Sequence, residues 1–179
     1  MDKTRQMVAF ASPPLDASVT TFQWDAGLFE AETVAGLKRD IIRHIVSSLG
    51  SDYARRGEYN YYHGLALAVR DRMIDQWIRT QRSYYEDQSK RVYYLSMEYL
   101  PGKSLLNNLH CLGIYDEAKQ ALADFGLKLK DVAEVEWDAG LGNGGLGRLA
   151  SCYLDSMATR GVSGYGYGIR YDYGMFHQI

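Results

Sequence analysis

A short stretch that holds five glycines constrains this chain of 179 residues more than any other feature. It runs from Asp138 to Arg148 and reads Asp-Ala-Gly-Leu-Gly-Asn-Gly-Gly-Leu-Gly-Arg, and an apolar pattern with helical spacing begins as it ends. Glycine lets the backbone approach a ligand closely, and the first turn of a helix offers N–H groups without intrahelical partners at the positive end of its dipole. The stretch therefore predicts an anion site, most often one for phosphate.

Two other interpretations of this glycine loop stay open. Its glycines match the Gly-x-Gly-x-x-Gly pattern of dinucleotide-binding domains in two registers, 140/142/145 and 142/144/147. That kind of domain needs an apolar strand directly before the glycines, whereas residues 131–138 are acidic and short. A P-loop is excluded because no Gly-Lys-Ser/Thr closes the loop. The simpler alternative is a glycine turn that joins two helices and binds nothing.

Composition and charge limit the class of protein. A hydrophobic content of 46% is enough for one sizeable core, and a net charge of −2 with interspersed signs gives no electrostatic case for nucleic acid or an anionic membrane. No apolar run is long enough to span a bilayer, and the first residues lack the apolar segment of a signal peptide, so we expect a cytoplasmic protein. Cys111 and Cys152 fit no metal spacing and are expected to be buried free thiols, and no metal site is predicted.

Hydrophobic periodicity predicts an α/β arrangement in which helices precede the first strand. Residues 1–25 lack periodicity and are expected to form a flexible arm, and residues 26–179 the folded part. Apolar side chains at helical spacing follow in residues 37–49 and 65–78, and Gly50 ends the first of these helices. A buried strand is predicted over residues 91–97, a further helix over 146–158 with Asn143 as its N-cap, and a Tyr/Gly strand over 164–174.

Glu98 stands at the carboxyl end of the strand predicted over residues 91–97. Carboxyl ends of strands in open α/β sheets face the ligand crevice, so a carboxylate at this point is well placed for a functional role. The structural alternative is a carboxylate bound by backbone N–H groups or by Arg148.

Several blocks of sequence together resemble the N-terminal region of the α-glucan phosphorylases, the family that acts on glycogen, starch and maltodextrin. The strongest blocks are Val92-Tyr-Tyr-Leu-Ser-Met-Glu98, Asp138 to Ala150, Leu154-Asp-Ser-Met-Ala-Thr159 and Tyr165-Gly-Tyr-Gly-Ile-Arg-Tyr171. Val69-Arg-Asp71, Trp77-Ile-Arg-Thr80 and Tyr84-Tyr-Glu86 extend the similarity upstream, so that it covers roughly residues 25 to 179 in one order.

The resemblance implies two doubly wound α/β domains with a GT-B-like arrangement, of which residues 26–179 would form part of the N-terminal one. It implies a pyridoxal 5'-phosphate enzyme that cleaves terminal α-1,4-glucosyl units with inorganic phosphate and releases glucose 1-phosphate. By the same resemblance, the catalytic residues would be Glu98, Asn143, Gly144, Gly145 and Leu146, and the cofactor would meet Gly144, Gly145 and Arg148. A homodimer is expected for the full-length protein.

The resemblance also sets expectations about what differs from the family. The lysine that forms the Schiff base lies in the C-terminal half of family members, so we expect this chain to be an inactive fragment. Asp52, Gln81 and Tyr85 match positions that contact a nucleotide effector, but Ala54 and Arg82 replace the usual Asn and Gln, which puts control by AMP in doubt. The phosphorylated segment of the animal enzymes has no counterpart in residues 1–24. A non-catalytic interaction module is the remaining alternative function.

Overall fold

The computed structural model describes residues 33–52 and 57–175, and the arm predicted for residues 1–25 lies outside them. Helices make up most of the described chain, and two short strands complete it. In chain order the elements are α1 (Val34–Arg43), a π-helical turn (His44–Ser48), α2 (Glu58–Glu86), β1 (Val92–Leu95), α3 (Leu105–Cys111), α4 (Tyr115–Ala123), α5 (Leu129–Glu134), α6 (Gly145–Thr159) and β2 (Gly164–Tyr167).

The hydrophobic core lies among the helices that precede the glycine loop. Helix α1 packs against α2 and α4, and α2 also contacts α5. The stripe predicted over residues 65–78 enters the core only in its first half, because Leu65 and Val69 are buried whereas Met73, Ile74 and Trp77 are exposed. Gly50 has a φ of 58° and ends the first helical segment as predicted. The largest fully buried side chains come from α1, the π-helical turn, α2, α3, α4, α5 and the link before α4, namely Leu37, Ile41, Ile45, Leu65, Leu109, Ile114, Leu122 and Val132.

Gly64 allows α1 and α2 to approach each other closely. A Cβ at this position would lie 2.9 Å from the carbonyl oxygen of Ile41 and 2.9 Å from Cγ1 of Ile45. Real Cβ atoms do not occur at such distances from backbone, so any larger residue would push the two helices apart. The glycine is therefore a packing requirement of the helical core.

The strands form a parallel pair, with Val92 opposite Gly164 and Leu95 opposite Tyr167. Parallel strands joined through helices fit the predicted α/β class. The prediction of a buried strand over residues 91–97 is wrong for this chain, because β1 is shorter and mostly exposed, with Leu95 76% accessible. Among the described residues β1 pairs with β2 alone, and Tyr93 and Leu95, which lie on the same face of β1, are 52% and 76% exposed, so that face lacks the covering layer that the apolar sequence pattern assumes.

The two cysteines of the chain lie at the surface of the described structure. Cys111 and Cys152 are both exposed, so the prediction of buried thiols is wrong; each lies on the outer side of its helix. Within residues 33–52 and 57–175, no helix is both long and apolar enough to cross a membrane. No set of three or more His, Cys, Asp or Glu side chains in those ranges is arranged to hold a metal ion.

Candidate functional site

Helix α6 begins at Gly145, the second of the paired glycines, and its N-cap is Gly144. The backbone of Gly144 is extended, with φ −155° and ψ −162°, and its carbonyl accepts the first helical bond from the N–H of Arg148 at 3.0 Å. The prediction of Asn143 as N-cap is therefore wrong by one residue. No side chain caps this end, so the first-turn amides lack the partner that a Ser, Asp or Asn cap supplies.

The glycines of the loop fall into two groups with different surroundings. A Cβ at Gly142 would lie 2.9 Å from the carbonyl carbon of Tyr99, and one at Gly147 would lie 3.0 Å from Cβ of Glu98. A Cβ at Gly144 or Gly145 would meet nothing within 4 Å. Neither of these two has a positive φ. Within the described chain, neither the backbone conformation nor the packing requires glycine at 144 or 145.

Glu98 lies against the first turn of α6. Its Oε2 accepts a hydrogen bond from the N–H of Asn143 at 3.3 Å, and the side chain packs on Gly147. A carboxylate in this place is favoured by the positive end of the helix dipole. Of the structural alternatives for Glu98, the contact with a backbone N–H is present, whereas Arg148 binds elsewhere.

The glycine loop is joined to the segment after β1 by main-chain bonds on both sides. The N–H of Tyr99 donates to the carbonyl of Leu141 at 2.9 Å, and the N–H of Leu100 donates to the carbonyl of Gly147 at 3.0 Å. Arg148 adds to this connection, because its guanidinium donates to the carbonyls of Leu100 at 3.3 Å and Pro101 at 3.1 Å. These contacts fix the position of Glu98 relative to the start of α6.

Two open clefts adjoin this arrangement. One of about 320 Å³ lies at the carboxyl ends of the strands, between Leu95–Met97 and Tyr167–Ile169. The other, of about 520 Å³, lies on the Arg148 side and includes Lys103, Asn107 and Asp155. The first is where strand polarity places a ligand crevice in α/β sheets.

Glu136 is a carboxylate with several hydrogen-bond partners that no sequence pattern marks as a candidate functional residue. It is buried, and its two oxygens accept bonds from the N–H and Oγ of Ser104 and from the N–H of Leu105, at 2.7 to 3.3 Å. The carboxylate thereby binds the amino end of α3 and anchors the segment that leads into the glycine loop. Its role is structural. Nothing in the sequence distinguishes it from the other acidic residues of 131–138.

The element before the glycine loop is a helix. Helix α5 ends at Glu134, and residues 135–144 are without regular structure. A dinucleotide-binding domain requires a strand in this place, so that interpretation is wrong. The loop does join two helices, as the simple turn interpretation requires, and the anion-site interpretation depends on the open surroundings of Gly144 and Gly145.

Each of the three predicted effector residues interacts with another residue of the chain. Gln81 accepts a hydrogen bond from the hydroxyl of Tyr165 at 2.8 Å, and the guanidinium of Arg91 lies 4.5 Å from the ring centre of Tyr85. Asp52 is exposed and also has an interaction partner. The structure contains no effector and leaves this role a prediction.

Comparisons with known proteins identify the family of this chain. Residues 122–179, which include the whole glycine loop and α6, match the family model "Carbohydrate phosphorylase". The human liver glycogen phosphorylase is 49% identical over 152 residues, which are 85% of this chain and 18% of that protein. The mouse muscle glycogen phosphorylase is 47% identical over the same shares. The chain belongs to the α-glucan phosphorylase family.

This phosphorylase chain is short compared with its relatives. It spans 18% of the length of the glycogen phosphorylases that it matches. The similarity covers the helical core, the strands and the glycine loop together, which agrees with the extent of the resemblance found in the sequence. The relatives are glycosyltransferases.

Proposed function

We propose that this chain is the N-terminal part of an α-glucan phosphorylase, which cleaves terminal α-1,4-glucosyl units with inorganic phosphate and releases glucose 1-phosphate. The observation that carries the proposal is the open start of α6, where Gly144 and Gly145 have free space in front of them and the amides have no cap. The family supplies the reaction. The proposal includes the two-domain GT-B-like fold, a cytoplasmic location and a homodimer.

The amides of Gly144, Gly145 and Leu146 are the groups proposed to act on the substrate. Cleavage of a glycosidic bond next to phosphate develops positive charge on the sugar and negative charge on the oxygens around it. Backbone N–H groups fixed at a helix start stabilise such negative charge without moving, and one well-placed donor is typically worth about 3 kcal/mol in a site of this kind. The absence of side chains at 144 and 145 lets a ligand approach these amides directly.

The residues of this chain fit a phosphate-bearing cofactor. Gly144 and Gly145 leave open a space that a Cβ would partly fill, and the uncapped first turn of α6 favours an anion. Pyridoxal 5'-phosphate, when bound, would supply a phosphate group that exchanges a proton with the substrate phosphate. Gly144 and Gly145 would contact that cofactor through their backbone. Arg148, a further predicted contact, would hold the loop in place through the carbonyls of Leu100 and Pro101.

Glu98 is proposed to line the substrate side of the site. The segment that carries it is fixed to both ends of the glycine loop, so the carboxylate and the first-turn amides keep a constant separation. A half-buried carboxylate beside a helix start accepts hydrogen bonds from sugar hydroxyls and repels a misplaced anion. Asn143, whose N–H already binds Glu98, would hold the carboxylate at the edge of the anion position.

The experiment that tests the proposal compares the isolated chain with a full-length phosphorylase that carries this sequence. We expect glucose 1-phosphate from maltodextrin, phosphate and pyridoxal 5'-phosphate with the full-length protein only. The isolated chain is expected to give no product and no pyridoxal band that borohydride fixes on a defined lysine. A full-length protein without phosphorolytic activity would favour a non-catalytic module, and product from the chain alone would refute the fragment interpretation.

A further inference from the structure

A second cleft, lined by aromatic rings, lies between the start of α2 and the segment after α5. Its volume is about 290 Å³, and its walls are Tyr59, Tyr62, His63, Val135 and Trp137. We call it the aromatic cleft. None of its residues belongs to the glycine loop or contacts Glu98, so it is separate from the candidate site described above.

Two of the aromatic side chains that line the aromatic cleft are largely exposed to solvent. Trp137 is 67% exposed and Tyr59 63% exposed, although both are large aromatic side chains. His63 orders the opposite wall, because its ring centre lies 4.3 Å from that of Tyr59 and 4.9 Å from that of Tyr62, both at edge-on angles. The tyrosine rings are thus held in place by packing within α2, and Trp137 faces solvent from the other side.

The chemistry of this cleft is neutral and able to form hydrogen bonds. Within residues 33–52 and 57–175, no acidic or basic side chain other than His63 lines it, which argues against a charged ligand. Burial, and then the nearby carboxylate of Glu136, raise the pKa of Tyr62, so its hydroxyl stays a donor over the whole physiological range. Exposed aromatic faces combined with hydroxyl and indole N–H groups suit a neutral, polyhydroxylated ligand, since C–H faces of a sugar ring stack on aromatic rings while its hydroxyls take up the polar edges.

We propose that the aromatic cleft binds a glucose unit of an α-glucan chain, stacked on Trp137 and Tyr59, at a position separate from the phosphorolytic site. The identity of the sugar rests on the proposed function, because the family supplies a glucan polymer. The cleft itself supplies the stacking surface and the neutrality. Trp137 directly precedes Asp138, so a glucan held here would lie on the segment that leads into the glycine loop.

Binding of maltoheptaose to the whole 179-residue chain tests this inference. The readouts are saturation-transfer NMR on the sugar and tryptophan fluorescence, and cellohexaose serves as a β-linked comparison. We expect Trp137→Ala and Tyr59→Ala each to weaken maltoheptaose binding by roughly tenfold, the equivalent of one lost stacking contact. Trp77→Ala is the matched control, because that indole is also 59% exposed but lies outside the cleft, and its binding should stay unchanged.

Several outcomes would overturn the inference. These are no maltoheptaose binding by the unaltered chain, equal binding by Trp137→Ala and the unaltered chain, or an equal loss in Trp77→Ala. Because Trp137 and Tyr59 are mostly exposed, circular dichroism should show both variants folded. Binding by the chain but not by the full-length protein would show that another segment occupies the cleft, which also refutes it.

The inference and the proposed function fail separately. If the full-length protein releases glucose 1-phosphate while Trp137→Ala leaves maltoheptaose binding unchanged, the aromatic cleft is not a glucan site and the proposed function stands. If the chain binds maltoheptaose through Trp137 while the full-length protein releases no glucose 1-phosphate, the phosphorylase proposal fails and the cleft remains a sugar site.

Discussion

Single glycines in one loop perform different tasks here, and stability measurements should separate them. In the isolated chain, Gly147→Ala would place a Cβ 3.0 Å from Cβ of Glu98 and 3.3 Å from the N–H nitrogen of Leu100. Relief of this overlap must displace backbone, so we expect the free energy of unfolding in urea to fall by about 1–3 kcal/mol. Gly145→Ala is the control, since its Cβ meets open space at the first helical position and should change stability by less than about 0.5 kcal/mol. Equal losses in both variants would contradict this division.

The raised pKa of Tyr62 predicts how the unfolding free energy of the chain changes at alkaline pH. Its pKa is raised by burial and by Glu136, so the unfolded chain loses this proton at a lower pH than the folded chain. The stabilisation is therefore complete below the ordinary tyrosine pKa of about 10 and is lost as pH rises through the higher folded value. We expect the unfolding free energy of Tyr62→Phe to decline less steeply above pH of about 10. Parallel pH profiles for the two proteins would disprove the assignment.

At the residue scale the sequence showed where the site is but not how each residue serves it. The run of glycines marked the start of α6, yet only distances to Tyr99 and Glu98 reveal that Gly142 and Gly147 are needed for packing. Those neighbours are 43 and 49 residues away in the sequence, and a pattern within one segment carries no information about them. The N-cap was misplaced for a related reason, because the extended backbone of Gly144 reflects the bonds that tie the loop to residues 99–100.

Among the elements, α3 depends on a single buried carboxylate. Glu136 accepts hydrogen bonds from Ser104 and Leu105 at the amino end of that helix. Glu136→Gln removes the charge and turns an amide N–H toward backbone N–H donors, so we expect a loss of about 2 kcal/mol in unfolding free energy. Glu134→Gln is the matched control, because this exposed carboxylate makes one surface pair with Lys103 at 3.2 Å and should matter by under about 0.5 kcal/mol. Thermal and urea unfolding of both variants measure this difference in stability, and equal losses would contradict the role given to Glu136.

Helices α1, α2 and α6 were predictable because apolar side chains at helical spacing run along each of them. The four-residue repeat of Leu37, Ile41 and Ile45 is enough to place α1 and the turn after it in the core. The strands were predictable in position but not in burial, since burial depends on what lies on each face of the sheet. An apolar run such as residues 92–95 predicts a buried strand, but it does not show which segments lie on its two faces. In the described chain this strand pairs with one other strand.

For the whole molecule, the exposed sheet predicts association of the isolated chain. Tyr93, Leu95 and Tyr167 are all more than half exposed, and the described part of β1 has one paired edge. Open strand edges beside apolar faces recruit other chains. We expect sedimentation to show concentration-dependent self-association, reduced by Leu95→Lys and unaffected by Lys130→Gln on exposed α5 surface. A monomer at all concentrations with a sharp, concentration-independent melting transition would contradict this.

The family and the α/β class followed from the sequence, since they rest on long blocks of residues in a fixed order. The chain spans 18% of the human liver glycogen phosphorylase, and no local pattern in it specifies a two-domain architecture, a cofactor or a dimer. They therefore remain proposals.

Turnover and melting temperature of Gly145→Ala, measured on the same full-length sample, test the central claim that the start of α6 binds an anion. A methyl group at Gly145 would have no atom of the described residues within 4 Å, so the melting temperature should stay within about 2 °C of the unaltered enzyme. The same methyl group would hold the phosphate away from the first-turn amides, and loss of one charge-directed hydrogen bond in this way should lower turnover roughly a hundredfold. A variant that melts several degrees lower yet turns over normally would show that the glycine serves a turn and that the anion site does not exist.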